Sequence, residues 1–251
     1  MSGHSHWATI RRKKGAQDAK RGALFTRLTR EIVMAAREGG GDPENNVRLA
    51  LAIERARANN MPKENIERAI RRGTGEDKDA AAIEQVMYEG YAPHGVALMI
   101  ECVTDNRNRA VAEIRHVLTR NGGNMAEAGS VAWQFQRMAY FSFPASQLDY
   151  DRAFELAVEA GAEDVTQDGE NIEIIAPVES FKEVADKLHA AGVHPEEAGL
   201  RYIAKQEIEL NVEETLQVLK VIEALEDLDD VQNVYHNLKL TEEALAAVET
   251  E

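Results

Sequence analysis

The chain has 251 residues, 44% apolar and 29% charged, with a formal net charge of −15. That composition excludes a disordered chain, and no apolar run approaches the roughly 18 residues of a membrane span. Cys102 is the only cysteine, which excludes an intramolecular disulfide; with a basic N-terminus that lacks a secretory apolar stretch, a cytoplasmic protein is expected.

The first thirty residues carry Arg11, Arg12, Lys13, Lys14, Lys20, Arg21, Arg27 and Arg30 against one acid, Asp18. Ala19, Leu24, Leu28, Ile32 and Ala35 or Ala36 recur near i, i+4 and predict a helix over 16–38, ended by Gly39-Gly40-Gly41. Asp42 as N-cap and Pro43 at the first helical position predict a second helix, with Val47, Ala50, Leu51 and Ile53 inward, fraying at Asn59-Asn60. Met61-Pro62 opens a third helix with Ile66, Ala69 and Ile70 inward and Gly73 as its stop. Three short helices with tight connections make a bundle. Residues 74–82 read as a linker.

Beyond residue 83 the periodicity changes. Val96–Ile100 reads as a buried strand, Ala110–Leu118 as an amphipathic helix, and Ser130–Phe135 with Ala139–Phe143 as a strand pair. A helix near 150–160 follows, then Glu163–Thr166 and Ile172–Ile175 around Asp168-Gly169, a hairpin signal. Helix 178–191, a strand near Leu200–Ala204, the segment Glu207–Leu210, helix Val212–Leu225 and Val231–Tyr235 complete the order. Strands alternating with helices in this way predict an α+β class with helices on one face of mainly antiparallel sheets.

Charge divides the chain along the same line. Residues 1–78 hold 17 Lys/Arg against 10 Asp/Glu, a net of +7, and residues 79–251 hold 12 against 34, a net of −22. This is the pattern of a polyanion-binding head on an acidic body. Screening within roughly 8 Å at physiological salt keeps the body from cancelling the head. The candidate contacts are Arg11, Arg12, Lys13, Lys14, Lys20, Arg21 and Arg27, with Trp7 beside them able to stack on an unpaired base or to pack on the first helix. Arg68, Arg71 and Arg72 either extend that surface or suit a helix C-terminus, where cations are favoured. A possible second contact comprises Arg107 and Arg109, between a strand and a helix, and Asn121 and Asn124, flanking a Gly-Gly turn. Glu226, Asp227, Asp229 and Asp230 read as an acidic loop, and Cys102 as a strand-core residue. No nucleophile–base set and no Cys/His set with zinc spacing stands out, so no enzyme activity, metal or cofactor is expected.

Several blocks resemble the YebC family, also known as PmpR-type regulators and, in mitochondria, as a translational activator of cytochrome c oxidase. They are Gly3–Ile10, Lys13–Ala16, Asp18–Gly22, Ala58–Lys63, Asn65-Ile66, Arg72–Gly75, Thr104–Arg109, Asn121–Asn124, Gly129–Val131 and Leu225–Tyr235. One departure is His6, where the family usually has Lys, so a fixed charge becomes titratable. The resemblance implies three domains: a basic helical one (1–78), a discontinuous α+β one (79–130 plus 206–240) and an α+β one inserted into it (131–205), with a tail at 241–251. It also implies a regulator of gene expression rather than a catalyst. The expected partner is nucleic acid, either ribosomal RNA, with the large ribosomal subunit as its setting, or promoter DNA. A protein-interaction scaffold docking on an acidic partner is the third reading.

Overall fold

Apolar residues spaced three and four apart are what bring the first three helices together. The computed structural model describes residues 17–77 and 83–250. Helices α1 (Gln17–Gly39), α2 (Val47–Ala58) and α3 (Lys63–Thr74) bury Leu28, Ile32, Val33 and Ala36, Leu49, Ile53 and Ala56, and Ile66 and Ala69 against one another. Gly73 sets how closely α3 crosses α1, because a Cβ there would lie 2.5 Å from the Val33 carbonyl oxygen and 2.7 Å from the Ala36 Cβ. The second helix starts later than the Asp42-Pro43 signal predicts. Residues 43–45 form a turn, and Asn46 is the N-cap: its side chain accepts from the Leu49 N–H at 3.0 Å and donates to the Ala35 and Gly40 carbonyls at 2.8 Å each. A buried asparagine that satisfies both its own helix and the end of α1 outcompetes a surface aspartate.

The first sheet has the antiparallel order β3-β1-β2-β8, from β1 (Glu84–Tyr91), β2 (Ala97–Thr104), β3 (Asn124–Ala126) and β8 (Val231–His236). Alternation along β2 sends Leu98, Ile100 and Cys102 to one face, under α4 (Arg107–Arg120), α7 (Val212–Glu226) and α8 (Glu242–Thr250), and Ala97 and Met99 to the other. Burial pushes the Cys102 thiol up to about 12, an inert core residue. The second sheet, also antiparallel, runs β5-β6-β4-β7, from β4 (Phe135–Pro144), β5 (Asp164–Asp168), β6 (Asn171–Ala176) and β7 (Glu197–Ala204). Helices α5 (Tyr150–Glu159) and α6 (Phe181–Ala190) cover it, enclosing Phe141, Phe143, Ile172, Ile174 and Leu188. Its four strands all lie in sequence between β3 and β8 of the first sheet, so the protein is α+β, a three-helix bundle followed by two α+β domains, one inserted into the other.

One expectation is corrected, and segments that the sequence left open are assigned. Strands β1 and β3 carry no prediction. The predicted strand Ser130–Phe135 is a bend and a 3-10 turn, Ala132–Gln134, leading into one continuous β4. The reason is Glu89, whose carboxylate accepts from the N–H groups of Gly129, Val131 and Ala132, donors that a strand would need for its ladder. Glu207–Leu210 contributes only the isolated parallel bridge Ile208 to Leu238. Among the described residues no helix is long and apolar enough to cross a membrane.

Candidate nucleic-acid interface

Trp7, Arg11, Arg12, Lys13 and Lys14 lie outside the described residues; Lys20 and Arg21 fall within the first turns of α1. Further along α1, Arg27 is half-buried and its carbonyl accepts from Gln232 Nε2 at 3.1 Å. Arg30 is not a surface cation. Its guanidinium reaches the Asp229 carbonyl and the Asp230 carboxylate, the latter at 3.2 Å.

Asp230 is the centre of that contact. Its side chain is 1% exposed, and Arg109 grips it as a fork, Nε to Oδ2 and Nη2 to Oδ1, each at 2.8 Å. The same Nη2 reaches Asp105 at 2.9 Å, and that bond, outweighing slight burial, holds the Asp105 carboxyl below its ordinary value. Asp230 is therefore no part of a solvated acidic loop. It is a carboxylate shared by an arginine of the bundle and an arginine of the first sheet domain. The bundle meets that domain again where Arg37 bonds the Ile83 carbonyl, and it meets the second sheet domain through Val47 and Leu51 and the pair His194–Glu54.

The other members of the predicted second contact are also engaged locally. Asn106 N-caps α4, accepting from the Arg109 N–H at 3.1 Å, and Arg107 Nε bonds Glu84 at 2.8 Å. Asn121 caps the C-terminus of α4, its Nδ2 on the Val117 carbonyl at 2.7 Å. Asn124 opens β3, and its Nδ2 donates to the Met125 carbonyl at 3.2 Å. Between them Gly122 takes φ +79, and a Cβ on Gly123 would come within 2.5 Å of the Tyr91 carbonyl, so the Gly-Gly pair serves the turn.

Arg68, Arg71 and Arg72 sit on α3, with Gly75 in the left-handed conformation closing the helix. Arg68 and Arg71 are exposed and three residues apart, hence on one stripe; Arg72 is half-buried. Because Gly73 packs on Val33 and Ala36, Arg71 and Arg72 lie near the far end of α1 from Arg21, a separation of roughly 22 Å along that helix. Within the described residues, Arg71 and Arg72 therefore stand apart from the helix positions of Lys20 and Arg21. Among the described residues of the bundle, Arg48 pairs with Glu38, Arg55 with Glu31 and Lys63 with Glu67. The exposed Arg57, Arg68 and Arg71 have no ion pair among the described residues. Arg57 escaped the sequence reading because nothing in the sequence of α2 separates it from Arg48 and Arg55, which are paired. Among the described residues, no group of three His, Cys, Asp or Glu is placed to hold a metal ion.

A family model described as "TACO1/YebC protein N-terminal domain" matches residues 5–76, and one described as "TACO1/YebC second and third domain" matches residues 83–238. A protein of Geotalea uraniireducens is 49% identical over 245 residues, covering 98% of each chain, and one of Acidithiobacillus ferrooxidans is 51% identical over 249 residues, covering 99% of each. Both are named "Probable transcriptional regulatory protein". The crystal structure of a conserved hypothetical protein from Aquifex aeolicus is similar at 45% identity with a TM-score of 0.83, covering 90% of this chain and 93% of that one.

Proposed function

The chain belongs to the TACO1/YebC family, and on that premise we propose that it is a non-enzymatic regulator of gene expression that binds nucleic acid through residues 1–78. The observation that carries this reading is the charge division, +7 in those residues against −22 in the rest. Arg57, Arg68 and Arg71, exposed and with no ion pair among the described residues, add to its support. The basic domain grips phosphate; the discontinuous domain (79–130 plus 206–240) and the inserted one (131–205) position it. Arginine forks and lysine charges facing a backbone hold a polyanion without reading its sequence.

The preferred partner is structured RNA on the ribosome, the protein acting in the cytoplasm as a translation factor. Two features support RNA over promoter DNA. The exposed face of α3 sets Glu64 and Glu67 beside Arg68 and Arg71 and carries no exposed Asn or Gln to read a base edge. A three-domain shape also suits a folded RNA surface. The alternative, a DNA-binding transcriptional regulator, is favoured by the names of the relatives. Sequencing the nucleic acid crosslinked to the protein in cells tests the order: ribosomal RNA fragments are expected. Promoter DNA would put transcription first, and recovery of neither would leave a protein-interaction scaffold.

A further inference from the structure

Among the described residues, the most exposed large apolar side chain lies on the connection between the two sheets. Trp133 is 68% exposed on the 3-10 turn that leads from the first sheet to the second, while Val131 and Phe135 beside it are 0% and 5% exposed. A ring of that size left in water forgoes one of the larger burial gains available to a side chain.

The turn beneath it is heavily braced. Glu89, on β1 and 8% exposed, spends both carboxylate oxygens there, accepting from Gly129 N–H at 2.6 Å and from Val131 and Ala132 N–H at 2.6 and 2.9 Å. Burial by itself would raise that carboxyl; the three N–H groups outweigh it and hold it below its ordinary value. Trp133 Nε1 donates to the Ser130 carbonyl at 3.0 Å. Lys205 binds from the end of β7, its Nζ on the Trp133 carbonyl and its N–H on the Gln134 carbonyl, both at 2.8 Å. The indole's one polar atom is thus satisfied within its own turn, and what remains on offer is the ring face, with an ammonium beside its backbone.

We infer that Trp133 is a stacking platform for an unpaired nucleobase, a contact separate from the basic N-terminal domain. A protein partner gains most from a tryptophan by using the ring and its N–H together. Here the donor is already engaged, which leaves recognition of a flat π surface, and every base has one whatever its sequence. Lys205 is placed to meet a flanking phosphate. Bracing by Glu89 removes the ordering cost that a mobile loop would bring to binding. The inference rests on the nucleic-acid reading above and adds to it: residues 1–78 supply charge to any polynucleotide, and Trp133 favours strands with unpaired bases.

The test titrates the full chain and its Trp133→Ala and Trp133→Phe variants with an oligouridylate RNA and with duplex DNA of equal length, reading affinity and intrinsic fluorescence. Trp133→Ala should weaken the single strand about tenfold and leave the duplex unchanged; Trp133→Phe should keep most of the affinity. Quenching by RNA should be larger in the parent than in Trp133→Phe, the difference being the signal of Trp133. Because the side chain is largely exposed, all three chains should melt together. Equal single-strand affinity in parent and Trp133→Ala, with no Trp133 quenching, would overturn the platform while leaving the basic domain as the binding element. Absence of polynucleotide binding by the parent at low salt would overturn both.

Discussion

Two arginine-rich segments of this chain read alike in sequence and are used differently in the fold. Asp105–Arg109 turns Arg107 onto Glu84 and Arg109 onto Asp230, whereas Arg68 and Arg71 on α3 face solvent and, with Glu64 and Glu67 one turn back, form no ion pair among the described residues. What separates them is a buried acid. Asp230 must be paired because an uncompensated carboxylate in the interior is costly, so it captures two guanidinium groups from different domains. Arginines without such a partner keep their charge for an external anion. Counting cations therefore overstates a binding surface until the acids that consume them are located.

The contrast predicts effects of decreasing size. Asp230→Asn removes the shared charge from Arg30 and Arg109 and should cost about 2–4 kcal/mol, read in urea unfolding of the full chain; a loss below about 0.5 kcal/mol would make the pair decorative. Glu89→Gln sharpens the comparison with a buried acid that holds backbone rather than cations. It should cost about 1–3 kcal/mol at pH 7, since one amide oxygen cannot serve three N–H groups. The folded Glu89 carboxyl lies below its ordinary 4.5, so its contribution is complete above that pH and is lost as pH falls through the lower folded value. The gap between parent and variant in melts from pH 7 to pH 3 should accordingly close below about 4.5. Arg109→Lys keeps the charge but not the fork and should cost about 1 kcal/mol, with no change in the salt dependence of RNA binding. Arg68→Ala with Arg71→Ala should behave the other way, with stability within about 0.5 kcal/mol and a shallower salt slope. If the α3 pair left the slope unchanged, the outward assignment would be wrong.

The fold was legible where spacing alone decides it. Leu28, Ile32 and Ala36 mark one helix face whatever they meet, and Asp168-Gly169 closes the β5–β6 hairpin locally. Strand β1 was hidden because Glu89 interrupts its apolar alternation, and its burial is explained only by the N–H groups of a turn some 40 residues on. Asp230 was likewise indistinguishable within Asp227–Asp230, since the arginine that identifies it comes from 200 residues earlier. The basic cluster was legible as charge, but not which arginines are already committed. Trp133 falls inside the predicted strand Ser130–Phe135, and only the folded turn, which leaves the ring exposed, sets it apart from Val131 and Phe135.

The central claim is that residues 1–78 supply the polyanion affinity, and the salt dependence of binding tests it most directly. Affinity of the full chain for an RNA is measured across a series of salt concentrations, with and without Ala at Arg11, Arg12, Lys13 and Lys14. The account predicts weaker binding to RNA and DNA alike and a log–log slope shallower by roughly 0.7–0.9 for each phosphate that the variant no longer neutralises. A quadruple variant that keeps the affinity and slope of its parent would contradict it.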